Sequence, residues 1–264
     1  MAPDDAPRKP AAEAGGGPGE MTLVEHLEDL RKVLFQSAAI LALVSVGTWF
    51  VSERALEILI RPAVQFGGSD RLVFLSPTGA FLMRLKMSVG LGVLLAAPVL
   101  MERLWSFVVP GLLRKERRFL LPVVATSVVL FYLGVAFAYF VILPVSMSFL
   151  VGFGTEHLQA MISGENYFAF AVRLAVAFGG VFQFPLVVTL LTLWGVMDPG
   201  FLKKYWRYGV VVVFAMSAMI TPPDVASQLL MAGPVLLLYG ISMGIAAMIA
   251  RNRGRARDEE KKQD

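Results

Sequence analysis

Residues 119–155 read "FLLPVVATSVVLFYLGVAFAYFVILPVSMSFLVGFGT", without a single Asp, Glu, Lys or Arg. About 18 apolar residues with few charges already suffice for a membrane span. A second run, 208–250, contains one charged residue, Asp224. The whole chain follows suit: 264 residues, 56% hydrophobic and 17% charged, with a mean hydropathy of +0.67. Soluble domains are nearer 45–50% apolar and about 25% charged. Backbone in lipid must satisfy its own hydrogen bonds, and long uninterrupted runs do so as helices. The fold class is therefore all-α, a polytopic membrane protein.

Working outward from 119–155 gives six spans, at 33–51, 80–104, 119–143, 167–194, 208–220 and 225–250. They make a membrane domain over 22–250. Residues 1–21, rich in Pro, Ala and Gly, have no apolar run; they read as a disordered tail and not as a secretory signal. Residues 251–264 form a charged tail. Between spans one and two, "SERALEILIRPAVQF" (52–66) predicts a short amphipathic helix at the interface, followed by a "GGSD" turn. No internal repeat is visible.

Helix starts are marked. "TLVE" (22–25) is a capping box; "SP" (76–77) and "DP" (198–199) place an N-cap before a first-turn proline. In "TPPD", Pro222 and Pro223 end span five, while Thr221 and Asp224 cap span six.

The net charge of +4 does not point to nucleic acid, because the basic residues cluster at span ends. With the N-terminus in the cytoplasm, 18 of the 24 Lys and Arg fall on the cytoplasmic side. The positive-inside rule then puts both termini there.

No HExxH, GxSxG, P-loop or paired intramembrane aspartates occur, and there is no cysteine. His26 and His157 have no metal partner at helical spacing. The reading is not an enzyme, with no catalytic residue, metal or cofactor.

Three polar features remain. "HLEDLRK" (26–32) precedes span one. Leu23, Leu27, Leu30 and Leu34 make one apolar stripe, and Glu25, Glu28, Asp29 and Lys32 lie off it. These acids either form a solvated face, laced by a Glu28–Lys32 pair, or are presented to a ligand. Glu116 stands among Arg114, Lys115, Arg117 and Arg118. It either dilutes their repulsion or acts as a recognition carboxylate, able to accept a bidentate guanidinium. Gln183, deep in span four before Pro185, is either a functional polar group or a hydrogen-bond partner for a neighbouring helix or for backbone freed by the proline.

Taken together, "HLEDLR" (26–31), "SPTGAF" (76–81), "APVLMERLWSFVVPGLLRKERR" (97–118), "FYLGVAFAYFVILP" (131–144), "FGGVFQFP" (178–185) and "MITPPDVASQ" (219–228) resemble the TatC family in order and content. That family is the polytopic core of the twin-arginine translocase. The resemblance implies a concave, glove-like six-span bundle in the bacterial inner membrane. It implies a receptor for twin-arginine signal peptides that self-associates in a larger complex. With TatA- and TatB-type single-span partners, the family moves folded proteins using the proton-motive force. Carried over by motif, Glu116 matches the signal-binding glutamate and Phe107 an aromatic of the same loop. Asp29 falls where the family usually has glutamate, with Glu28 beside it. Gln183 falls where many relatives have glutamate. The alternative function is a secondary transporter or channel for a small solute, which would want paired intramembrane ions or broken helices at mid-depth.

Overall fold

The structure is a computed structural model and describes residues 23–66, 72–112, 120–152, 161–220 and 225–263. Among these the chain is helical, apart from short turns and an isolated bridge between Val73 and Ser163. The helices in order are α1 (Leu23–Trp49), α2 (Ser52–Phe66), α3 (Gly79–Leu112), α4 (Leu120–Phe137), α5 (Leu143–Val151), α6 (Gly164–Val181), α7 (Phe184–Leu193), α8 (Pro199–Lys204), α9 (Trp206–Ile220) and α10 (Val225–Gln263). A π turn, Ala138–Ile142, joins α4 to α5 without a break. Five stretches are long and apolar enough to cross a membrane, and α9 is a shorter sixth.

The core forms around α6. Phe168, Leu174 and Phe178 of α6 are fully buried with Met87 of α3 and Leu143 of α5. Lipid tails are as apolar as these side chains, so close packing, not escape from water, holds such helices together. Gly134 shows how close the approach is: a Cβ there would run into the backbone carbonyl of Phe178.

Proline decides much of the detail. A proline lacks the N–H that would bond the carbonyl four residues earlier. Pro98 thus frees the carbonyl of Leu94, and the Tyr132 hydroxyl donates to it at 2.9 Å. Pro62 frees that of Ile58, which accepts from the Tyr139 hydroxyl at 2.7 Å. Tyr132 and Tyr139 lie two turns apart, so one continuous helix repairs proline gaps in two neighbours. Span three, read as ending at 143, stops in the sequence just before Pro144. The helix instead widens just before it, Leu143 N–H bonding the carbonyl of Ala138, and runs on to Val151. A π turn absorbs such a mismatch without ending the helix.

Other boundaries also move. The "HLEDLR" stretch is continuous with span one, and α3 runs eight residues past the expected end at 104. The helix after "SP" begins at Gly79, because Ser76 to Gly79 closes as a turn (3.1 Å) before the helix starts. At "DP" the cap forms as read, Asp198 Oδ1 accepting from Gly200 N–H at 2.9 Å. The amphipathic helix over 52–66 is α2. Its inner edge is the buried Ala63 with the partly buried Leu56 and Leu59; Arg54, Glu57 and Arg61 are exposed. The tail 1–21, Thr22 of the capping box, the "GGSD" turn and "TPPD" lie outside the described residues.

Candidate functional site

α1 and α3 pack antiparallel along their length. Thr48 Oγ1 donates to the Ser88 carbonyl (2.7 Å) near one end, and Arg103 Nη1 donates to Gln36 Oε1 (3.1 Å) toward the other. At the tip, the rings of His26 and Phe107 stack with centroids 4.4 Å apart and planes 18° apart. This contact fixes the acidic turn of α1 beside the last turns of α3. Glu28 is exposed and forms no ion pair among the described residues. Asp29 is half-buried and its Oδ1 lies 3.3 Å from Lys32 Nζ. The expected Glu28–Lys32 pair is thereby corrected: the lysine bends to the three-residue neighbour, whose shorter arm is on its side.

The structure therefore brings Glu28, Asp29 and Phe107 together at one end of the α1–α3 pair. Glu116 lies outside the described residues, four positions beyond the end of α3. So do Thr221, Pro222, Pro223 and Asp224, although α9 ends at Ile220 and α10 begins at Val225 on either side of them. The contacts of His26 and Gln36 were not anticipated. They depend on the register of α1 against α3, for which the sequence carries no local signal. Leu27, Leu30 and Leu34 of the apolar stripe of α1 face outward, Leu27 and Leu34 being 62% and 66% exposed, so this face is open to lipid or to another chain.

Gln183 does not join this group. It sits where α6 passes into α7, against α4. Its backbone N–H bonds the Gly180 carbonyl, three residues back, so the Gly179 carbonyl loses its usual helical donor. Gln183 Nε2 reaches that carbonyl at 3.3 Å and the Ser127 carbonyl at 3.1 Å. Its Oε1 accepts from Ser127 Oγ at 2.6 Å. Both ends of the amide are thus engaged within the chain. The residue also borders an apolar groove of about 530 Å³ between α6, α7, α9 and α10.

The family model for "Sec-independent protein translocase protein (TatC)" matches residues 25–234. The chain belongs to the TatC family. It is 40% identical to a TatC protein of Desulforapulum autotrophicum, covering 90% of this chain and 87% of that one. It is 36% identical to the TatC of Aquifex aeolicus, covering 88% and 98%. A crystal structure described as the twin arginine translocase receptor TatC superposes with a TM-score of 0.81 at 35% identity, covering 86% of this chain and all of that one. TatC membership and the six apolar helices make this a multi-pass membrane protein.

Proposed function

We propose that this TatC-family chain is the receptor subunit of a twin-arginine translocase. It binds the paired arginines of a signal peptide at the end of the bundle formed by α1 and α3. Both chain termini then lie in the cytoplasm and the bundle spans a bacterial inner membrane. TatA- and TatB-type single-span proteins join it, and the proton-motive force drives transport of folded precursors. The chain itself performs no covalent chemistry.

The observation that carries this reading is the grouping of Glu28, Asp29 and the stacked Phe107 at the end of α3 that leads into "RKERR". A guanidinium is planar and its fork of N–H groups fits a carboxylate bidentately, which a lysine ammonium cannot do. Two acids, one on α1 and Glu116 beyond α3, suit two arginines. Each charge-assisted bond contributes about 1.5–3 kcal/mol. The flanking Arg114, Lys115, Arg117 and Arg118 repel unspecific cationic segments and draw the surface toward anionic headgroups.

The test is photocrosslinking from positions 28, 29, 107 and 116 to a precursor with an Arg-Arg signal and to the same precursor with Lys-Lys. The reading expects crosslinks from 116 and from 28 or 29 that fall sharply with Lys-Lys. Equal yields for both signals would remove the arginine recognition, and no crosslink to either signal would leave a solute transporter as the better account. Orientation is tested independently, since the chain has no cysteine: single cysteines at 12, 115, 203 and 258 should react only from the cytoplasmic side, and those at 70, 160 and 223 only from outside.

A further inference from the structure

We propose that the cleft where α1, α2 and α3 meet binds one phospholipid with a phosphoethanolamine headgroup, its phosphate on Arg84 and its ammonium at Glu53. The cleft, about 350 Å³, lies at the end of the bundle opposite the His26–Phe107 stack. Arg84 is held there on two sides. Its Nε donates to Ser52 Oγ at 3.1 Å, and its guanidinium lies 5.3 Å from the centre of the Trp49 ring. Ser52 is itself fixed, donating to the Trp49 carbonyl at 2.7 Å, and is 2% exposed. These contacts use the Nε edge and one face of the guanidinium. Among the described residues no carboxylate pairs with Arg84.

A guanidinium held in place, with no carboxylate on its terminal N–H groups among the described residues, is a phosphate site by charge and geometry. Glu53 lines the same cleft and also forms no ion pair among the described residues. The two opposite charges stay apart, so the cleft presents a cation and an anion together. An anionic headgroup satisfies the first and is repelled by the second. A phosphoethanolamine satisfies both, its phosphate accepting from Arg84 and its ammonium donating to Glu53. Choline keeps the charge but has no N–H to donate, and the Trp49 face that could hold it is already taken by Arg84.

The acyl chain also has a place. Trp49 is shared with an adjoining apolar groove of about 250 Å³ between α1 and α3, lined by Val46, Phe50, Leu85 and Val89. Headgroup cleft and hydrocarbon groove thus adjoin at Trp49, a side chain suited to the membrane interface.

The experiment reconstitutes the full chain in vesicles of equimolar phosphatidylethanolamine, phosphatidylcholine and phosphatidylglycerol. It is then extracted in mild detergent, and the retained lipids are counted by native mass spectrometry. The parent should retain phosphatidylethanolamine over each of the others by about tenfold, the worth of one charge-assisted bond. Arg84→Gln should lower retention of all three by about the same factor. Glu53→Gln, at an exposed position, should abolish the preference for phosphatidylethanolamine and raise retention of phosphatidylglycerol. Should Arg84→Gln fail to insert, Glu53→Gln decides alone. Soluble O-phosphoethanolamine in excess should not displace the lipid, because it lacks the chain. An unchanged preference in Glu53→Gln, or equal retention of phosphatidylglycerol by the parent, overturns the proposal. Displacement by the soluble headgroup overturns the lipid assignment.

Discussion

Ser127 and Gln183, on α4 and at the α6–α7 junction, exchange two hydrogen bonds: Ser127 Oγ donates to Gln183 Oε1 at 2.6 Å, and Gln183 Nε2 donates to the Ser127 carbonyl at 3.1 Å. Both groups lie in spans, where water is scarce and an unmade bond is costly. Removing Gln183 strands the hydroxyl as well as the Gly179 carbonyl. Gln183→Leu and Ser127→Ala should each lower thermal stability in detergent, and the double variant should lose less than the two singles combined. The coupling expected for an intramembrane pair averages about 0.6 kcal/mol and reaches about 1.7. Strict additivity would mean that the pair is only packed.

Tyr139 makes the same argument at a proline. Its hydroxyl is the donor that the Ile58 carbonyl loses to Pro62. Tyr139→Phe should destabilise the seating of α2 by roughly 0.5–1.5 kcal/mol, the net worth of one hydrogen bond. Pro62→Ala in the Tyr139→Phe background should recover most of the loss, because the helix then supplies its own N–H. Thermal unfolding of the four proteins measures this directly. No recovery would assign the loss to the ring's position and not to the carbonyl.

α9 is short. Its 15 residues rise about 1.5 Å each and reach some 22 Å, against a hydrocarbon core of about 30 Å. The bilayer beside it should thin or admit water. Spin labels along 208–219 should report water accessibility at both ends and lipid contact over a shorter stretch than labels along α4. Accessibility profiles of equal width would remove the idea.

The span pattern was legible because charge-free runs of this length leave the backbone no alternative in lipid. The amphipathic α2 was legible because its apolar residues repeat at helical spacing. What escaped the sequence depends on contacts between distant segments. The boundary of span three at 143 falls beside Pro144, where the π turn before the proline lets the helix continue. Glu28 and Asp29 are equally plausible partners for Lys32 by spacing, and rotamers decide for Asp29. The stacking of His26 on Phe107 requires the antiparallel register of α1 and α3. Arg84 is one of the six Lys and Arg outside the basic side, and its hold by Ser52 and Trp49 exists only when α1, α2 and α3 are assembled.

The acids at the α1–α3 end carry the functional proposal, and Lys32 gives a way to separate them. Asp29 must release Lys32 before it can receive a guanidinium, whereas Glu28 is already free of ion pairs among the described residues. An exposed pair of this kind is worth about 0.2–1 kcal/mol, so removing the lysine should tighten signal binding up to about fivefold if Asp29 is the acceptor. Lys32→Ala should then strengthen, and Asp29→Ala weaken, binding of an Arg-Arg signal. If Glu28 is the acceptor, Glu28→Ala weakens binding instead, and Lys32→Ala changes it little. Glu116→Ala should weaken binding in either case. Glu116→Gln should fail almost as badly, since an amide brings donors where a guanidinium needs acceptors, while Glu116→Asp should keep part of the function. All these losses should be steeper for Arg-Arg than for Lys-Lys signals, because only the former uses the bidentate geometry. Crosslinking yield and transport rate measured for each variant with both signals decide the matter. A Glu116→Ala protein that binds the Arg-Arg precursor as well as the parent would return Glu116 to the lesser role of diluting charge among its four basic neighbours.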